Sequence, residues 1–114
     1  MKKLLEQRPW GQFLQLTHNE STTVKIITIS PNQELSLQYH DKRAEFWHVL
    51  EGNPIITNGD TVVTAHPGDE FFIEKGAKHR MAAGEKPAKI LEIAFGDFDE
   101  NDIVRLEDRY GRIK

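Results

Sequence analysis

Four polar residues of this chain have the types and spacing of ligands for a divalent metal ion. Gln38, His40 and Glu45 lie close together in the first half of the sequence, and His79 follows in the second half. Residues two apart on a β-strand point to the same face, so Gln38 and His40 project together, and a turn followed by a return strand brings Glu45 back beside them. Imidazoles and a carboxylate are common ligands of zinc, iron, manganese and nickel. The spacing indicates a metal site, but two loop histidines and a surface glutamate fit it equally well.

Short strands separated by turn residues are predicted around these four residues. Segment 24–29 is rich in β-branched residues and stops at a proline turn, and Asn58-Gly59 between two β-rich runs is a strong hairpin signal. Strands of this length and even spacing favour an antiparallel sandwich or a small barrel. The predicted strands are 24–29, 35–39, 45–50, 55–57, 61–64, 71–73 and 89–95.

One short peripheral helix is predicted near the C-terminal end. Residues 99–108 begin with aspartate and asparagine, which are favoured at helix starts, and they place Ile103 and Leu106 on one helical face. In the predicted strand 45–50, Trp47 has the same parity as Glu45, so its side chain is expected in the core.

Length and composition fit a single domain that spans residues 1–114. The chain of 114 residues is 38% hydrophobic and 29% charged, as an ordinary globular domain is. The lack of cysteine excludes disulfides, thiolate metal sites and cysteine nucleophiles. A net charge of −3 argues against nucleic-acid binding, and no apolar run has the length of a membrane span or a signal peptide. We therefore expect a cytoplasmic protein that binds neither nucleic acid nor membrane.

The stretches that contain the four candidate ligands resemble the two motifs of the cupin superfamily. The first motif, G-x5-H-x-H-x3,4-E-x6-G, is matched by residues 32–52, with Asn32 in place of glycine and Gln38 in place of the first histidine. The second motif, G-x5-P-x-G-x2-H, is matched by residues 68–79, with Glu74 in place of proline. Asparagine tolerates a left-handed turn, so the first departure is mild. The resemblance implies an all-β cupin fold, a double-stranded β-helix or jelly-roll barrel, with the metal between two sheets.

A closer resemblance is to the cupin domain of type II phosphomannose isomerases. Residues 35–47 contain L-S-L-Q-x-H followed by R-A-E-x-W, and the flanks match at 8–13 and 102–112, so the resemblance covers nearly the whole chain. It implies the isomerisation of mannose-6-phosphate to fructose-6-phosphate by proton transfer through an enediol. It also implies one divalent ion per chain, zinc first, with manganese, cobalt, nickel or iron as alternatives. The metal ligands it implies are Gln38, His40, Glu45 and His79.

The implied reaction needs a base to move the proton and a cation to hold the phosphate. Arg43 is a candidate for the phosphate, but it is equally suited to an ion pair that orients Glu45. The base is left unassigned among three side chains and a water molecule at the metal. The base candidates are Lys42, Glu74 and Lys78, and the phosphate candidates are Arg43, Arg80 and Arg112.

Departures from the isomerase pattern keep two other functions open. Lys42 and Phe46 stand where the isomerase domains usually carry histidine, and Glu74 is unusual in the second motif. A cupin that binds a metal and a sugar phosphate without isomerising it is therefore the first alternative. An iron-dependent dioxygenase is the second, and Gln38 argues against it because an amide oxygen is a weaker iron ligand than imidazole.

A second copy of the chain is the expected protein partner. Small cupins usually pair through strand edges, because an open sheet edge invites another strand. Trp10 and the segment 105–112 are expected at or near the two-fold contact of a homodimer.

Overall fold

The computed structural model describes residues 1–113, and every regular element among them is a β-strand. These residues include no helix with the length and apolar character needed to cross a membrane. The all-β prediction is therefore confirmed. The strands are β1 (Leu4–Arg8), β2 (Gly11–Gln15), β3 (Thr22–Ile29), β4 (Leu37–Tyr39), β5 (Glu45–Glu51), β6 (Ile55–Asn58), β7 (Thr61–Thr64), β8 (Glu70–Ile73), β9 (His79–Ala82), β10 (Ala88–Phe95) and β11 (Val104–Glu107).

The eleven strands of residues 1–113 form two antiparallel sheets and a two-stranded hairpin. One sheet has four strands in the order β3-β10-β5-β8, and the other has five in the order β11-β4-β9-β6-β7. Strands β1 and β2 pair with each other, from Leu4 opposite Gln15 to Arg8 opposite Gly11. Apolar side chains from both larger sheets form one buried cluster, so the two sheets enclose a common core.

Alternation of side chains along the central strands explains how the core forms. In β5, Trp47 and Val49 point inward and are almost completely buried, and in β10 Ile90 does the same. Met81 and Ile56 from the five-stranded sheet pack into the same cluster. The prediction that Trp47 lies in the core is confirmed.

Three residues with positive φ make turns that the sequence motifs predict. Gly59 has a φ of 62° in the predicted hairpin between β6 and β7, and Asn32 has a φ of 61° where the cupin motif carries glycine. At Gly52, with a φ of 81°, a Cβ atom would lie 2.4 Å from the carbonyl oxygen of Pro87. Glycine at position 52 is therefore required both by the backbone conformation and by the close approach of a neighbouring chain segment.

The predicted helix at residues 99–108 is wrong, because this segment forms a turn followed by strand β11. The N–H of Asn101 donates to the side chain of Asp99 at 2.9 Å, so the polar residues that suggested a helix start instead close a turn. Strand β11 then pairs with β4, with Arg105 opposite Gln38. A helix of this length is marginal by itself, whereas the unpaired edge of β4 offers backbone hydrogen bonds.

Candidate metal centre

Three of the four predicted ligands form a compact buried cluster between the sheets. His40, Glu45 and His79 each offer a nitrogen or oxygen atom within 4.8 Å of the others. The Nε2 atom of His40 lies 3.4 Å from Oε2 of Glu45, and Nε2 of His79 lies 3.8 Å from Oε1 of the same carboxylate. All three side chains are about 2% exposed. The cluster therefore has the size and the donor atoms of a metal site.

The ends of three strands bring these residues together. Glu45 is the first residue of β5 in the four-stranded sheet, and His79 is the first residue of β9 in the five-stranded sheet. His40 directly follows β4, the neighbour of β9. The cluster thus joins the two facing sheets at the ends of their central strands.

Hydrogen bonds to the backbone direct both imidazole rings toward the cluster. The Nδ1 atom of His79 lies 2.9 Å from the carbonyl oxygen of Ala77, and Nδ1 of His40 lies 2.6 Å from that of Asp102. A carbonyl oxygen only accepts, so each Nδ1 carries the proton and each Nε2 carries a lone pair. Burial lowers the pKa of both histidines, which keeps the rings neutral. Two neutral imidazoles are the form that binds a metal.

The Nε2 atom of His79 shows independently that the cluster suits a metal ion. It is fully buried, and among residues 1–113 no side chain or backbone group forms a hydrogen bond with it. A buried polar atom without a partner costs about 1–3 kcal/mol. A divalent cation bound at this lone pair would remove that cost, so the residues present fit a metal ion.

Glu45 supplies the negative charge of the site. The indole N–H of Trp47 donates to Oε1 at 3.0 Å, and the Nε–H of Arg43 donates to Oε2 at 3.1 Å. Burial alone would raise the pKa of Glu45, but a hydrogen bond from Glu92 and the neighbouring His79, His40 and Arg43 lower the pKa overall. The carboxylate is therefore ionised and can bind a cation.

Glu92 is a buried acidic residue that the sequence reading missed. Burial, together with the adjacent Glu45, raises the pKa of Glu92 to about 8. At neutral pH it is a carboxylic acid and donates a hydrogen bond to Glu45. A glutamate in the centre of the apolar strand 89–95, with the parity of the inward-facing Ile90, was the signal that could have found it.

The protonation of Glu92 predicts a pH dependence of stability in the metal-free protein. Between about pH 6.5 and pH 8 the folded chain keeps a proton that the unfolded chain, with a pKa near 4.5, has lost. The free energy of unfolding therefore falls as pH rises, by up to about 1.4 kcal/mol per pH unit. We expect Glu92→Gln, whose amide can still donate to Glu45, to remove this slope. Urea denaturation of both proteins with a chelator present measures it, and a stability difference that is constant with pH would contradict the prediction.

Gln38, the fourth predicted ligand, lies directly opposite His79 in the pairing of β4 with β9. It is half-buried on the face that also carries Ser36 and His40. The hydroxyl group of Ser36 donates to its Oε1 atom at 2.6 Å. An amide oxygen has two lone pairs, so this bond orients Gln38 and leaves one lone pair for a metal.

Arg43, a predicted phosphate ligand, is instead buried inside the cluster. Its side chain is only 8% exposed, and it pairs with Glu45 at 3.1 Å. The guanidinium carbon lies 4.3 Å from the ring centre of Phe98. The structure thus places it in the ion pair that was one of its two predicted roles.

The other two arginines proposed for phosphate lie away from the cluster. Arg80 follows His79 on strand β9, so it points to the opposite face, where it pairs with Glu34 at 3.3 Å and Glu107 at 3.2 Å. Arg112 is exposed and pairs with Asp108 at 2.9 Å. Their role in binding phosphate stays a prediction, and the structure does not bring them to the metal ligands.

The three candidate bases lie exposed on turns next to the cluster. Lys42 is in the turn after His40, while Glu74 and Lys78 belong to the loop between β8 and β9. That loop is tied to the site because the N–H of Gly76 donates to the carbonyl oxygen of His40 at 2.7 Å. All three side chains therefore start from the rim of the same end of the barrel.

A segment after β10 fixes the position of His40. The sequence analysis did not predict this contact. The carbonyl oxygen of Asp102 accepts from the ring of His40, and its carboxylate accepts from the N–H groups of Asp41 and Lys42, each at 3.0 Å. In the same segment, Phe98 and the carbonyl oxygen of Asp99 hold Arg43. Asp102 matches the isomerase flank, but its contacts depend on the path of the turn, which spacing alone does not give.

Comparisons of the sequence identify its relatives. The profile of a family described as "Mannose-6-phosphate isomerase C-terminal" matches residues 3–108. The Xanthan biosynthesis protein XanB of Xanthomonas campestris pv. campestris is 39% identical over 107 residues, which cover 92% of this chain and 23% of that protein. The mannose-1-phosphate guanylyltransferase ManC of Salmonella typhimurium is 37% identical over 108 residues, 93% of this chain and 22% of that protein. The chain thus spans less than a quarter of the length of these relatives.

A solved structure shows the same fold. It is an uncharacterized protein with a double-stranded β-helix domain from Klebsiella pneumoniae, with a TM-score of 0.67 and 18% sequence identity. The match covers 82% of this chain and 81% of that one. The predicted double-stranded β-helix is therefore confirmed.

Proposed function

Because the chain belongs to the mannose-6-phosphate isomerase C-terminal family, a family of cupins, we propose that it is a metal-dependent isomerase of mannose-6-phosphate and fructose-6-phosphate. The observation that carries this proposal is the buried trio of His40, Glu45 and His79. Two imidazole lone pairs and one ionised carboxylate converge there, and one of the lone pairs has no partner in the described chain. A site of this kind suits an aldose-ketose conversion, in which negative charge develops on the sugar oxygens.

In this proposal the chain's residues divide into three tasks. His40, His79 and Glu45, with the amide oxygen of Gln38, would hold one divalent ion, which when bound polarises the oxygens of the sugar. A side chain on the rim moves a proton between two adjacent carbons, through an enediol, and returns it. A cation holds the phosphate, and its candidates remain Arg43, Arg80 and Arg112. The base candidates remain Lys42, Glu74 and Lys78.

Zinc is the first metal that we propose, with manganese, cobalt, nickel and iron as alternatives. Two imidazole nitrogens and a carboxylate are a common ligand set for catalytic zinc. With the neutral amide of Gln38 added, the ligands carry a single negative charge, so a divalent ion keeps a net charge near +1. That charge is available to polarise a substrate.

One observation favours a second function, the binding of metal and sugar phosphate without turnover. All three candidate bases are exposed, and Lys42 occupies a position where the isomerase domains usually carry histidine. A general base works best when it is held next to the proton that it removes, and an exposed turn does not fix a side chain in that way. The two functions share the metal site and differ in the proton transfer.

An assay with mannose-6-phosphate separates them. The chelator-treated chain is reloaded with each of the five metals in turn, and fructose-6-phosphate formation and thermal unfolding are measured. We expect no activity without metal, activity with one metal, and a higher unfolding temperature with mannose-6-phosphate but not with mannose. Stabilisation without turnover would support the binding function. If mannose-6-phosphate is neither converted nor stabilises the chain, both functions are contradicted.

The homodimer stays a prediction, and exposed apolar side chains support it. The hairpin of β1 and β2 leaves Leu5 and Leu14 about half exposed, and Trp10 at its tip is 71% exposed. The outer side of β3, an edge strand, exposes Val24 and Ile26. Isolated two-stranded hairpins are marginally stable, so a second copy covering these residues would stabilise both.

A further inference from the structure

The guanidinium group of Arg43 forms hydrogen bonds with two of the atoms that would bind a metal ion. Its Nε–H donates to Oε2 of Glu45 at 3.1 Å, and its Nη2 atom lies 3.2 Å from Nε2 of His40. Because the other ring nitrogen of His40 donates to the carbonyl oxygen of Asp102, Nε2 can only accept. Arg43 therefore donates a hydrogen bond directly into the lone pair through which His40 would bind a metal.

One lone pair cannot serve both partners. A nitrogen that is coordinated to a metal has no lone pair left to accept a hydrogen bond. Arg43 and a divalent ion also carry charges of the same sign, and in a buried site their repulsion is screened less than it would be in water. The bond from Nη2 to His40 must break when a metal binds at that nitrogen.

The rest of the chain holds the guanidinium firmly where it is. Its Nη1–H donates to the carbonyl oxygen of Asp99 at 3.0 Å, and its central carbon lies over the ring of Phe98. In the metal-free chain this cation neutralises Glu45, which would otherwise be a buried carboxylate without a counter-charge. Arg43 thus supplies the positive charge that a metal supplies in the loaded site.

We propose that Arg43 competes with the divalent metal ion for His40 and Glu45 and so sets the metal affinity of the site. This inference rests on the metal site of the proposed function, but not on the isomerase reaction. When the metal binds, the Nη2–H of Arg43 is released beside the ion, where it can donate to an anionic oxygen of a ligand. The two roles considered for Arg43, ion pair and anion ligand, then belong to the metal-free and metal-loaded states.

Metal titration of an Arg43→Met variant tests the competition. Methionine fills part of the space of the arginine stem but neither donates a hydrogen bond nor carries a charge. A hydrogen bond to a charged group contributes enough that we expect Zn²⁺ and Mn²⁺ to bind at least about tenfold more tightly than in the original chain. Isothermal titration of the chelator-treated proteins measures this, and the metal should also raise the unfolding temperature of the variant by more than that of the original chain.

Two further variants keep the test independent of folding and of net charge. Phe98→Leu leaves Arg43 in place but removes the aromatic ring beneath it, and we expect metal binding to tighten by a smaller factor, about threefold. Lys25→Met removes a second cation, which lies 4.2 Å from the centre of the same ring and, among the described residues, bonds to Glu100 and not to His40 or Glu45. Metal affinity should change less than about twofold in that variant.

The outcomes separate this inference from the metal site itself. Tighter binding in Arg43→Met and Phe98→Leu, but not in Lys25→Met, supports the competition. Unchanged or weaker binding in Arg43→Met overturns it, and so does equal tightening in Lys25→Met, which would mean that only the net charge matters. Failure of both the original chain and Arg43→Met to bind either metal would overturn the metal site together with the competition.

Discussion

A His79→Ala variant is expected to retain less than about a tenth of the metal that the original chain binds. His79 offers the one lone pair of the trio that no described group satisfies, and it lies 3.8 Å from Oε1 of Glu45. Its removal leaves one imidazole, one carboxylate and the neutral amide oxygen of Gln38, and an amide oxygen is a weaker ligand for zinc than the imidazole that is lost. Metal content after reloading and gel filtration measures the loss, and the original chain should hold close to one ion per chain.

A matched control separates the loss of a ligand from the loss of a histidine. His66 is an exposed histidine in a turn, 3.8 Å from Asp69, and it belongs to no metal-ligand motif. We expect His66→Ala to hold as much metal as the original chain. Thermal unfolding of the chelator-treated proteins shows whether His79→Ala still folds. A folded His79→Ala protein with full metal content would refute the site.

The metal-free His79→Ala protein should fold, for a physical reason that the cluster itself supplies. The Nε2 atom of His79 is a buried polar group with no described partner, so removing it relieves an unfavourable term. The ring also contacts Trp47 edge-on, with 5.4 Å between ring centres, and that contact is lost. The loss of this contact and of the hydrogen bond to Ala77 opposes the gain from removing the unpaired nitrogen, so we expect the metal-free variant to remain folded.

The sequence predicts the strands that carry strong local signals and misses those that depend on partners. The hairpin around Gly59 and the strand that contains Trp47 are predicted because turn chemistry and alternation are both local. Strand β9, from His79 to Ala82, has no such signal and forms because it pairs with both β4 and β6. Strand β11 was predicted as a helix for the same reason, since its pairing with β4 cannot be seen in its own residues.

The site could be predicted in its list of ligands but not in its internal contacts. Motif spacing identifies His40, Glu45 and His79, because cupins place these residues at fixed points of the two motifs. It does not show that Arg43 donates to His40, since residues three apart in a turn have no fixed relation. Nor does it pair Glu92 with Glu45, which are far apart in sequence and meet only because β10 lies beside β5. Contacts of this kind depend on tertiary structure.

If the chain is an isomerase, one of three variants, Lys42→Met, Glu74→Gln or Lys78→Met, is expected to lose about 100- to 10,000-fold in kcat. A positioned base contributes a rate factor of that size, and the base acts on a proton only during the reaction. KM and metal content should therefore change little in the variant that lacks it. Steady-state rates with mannose-6-phosphate, together with metal analysis of each variant, measure this.

An exposed lysine on the same loop provides a matched control for these variants. Lys75 is exposed on the same loop as Glu74 and Lys78 and was not a candidate, so Lys75→Met should keep the rate of the original chain. If all three variants stay within about threefold of the original kcat, none of them supplies the positioned base. A single large loss assigns the base, and its location on the turn after His40 or on the loop before His79 then tells from which side of the metal ligands the proton is taken.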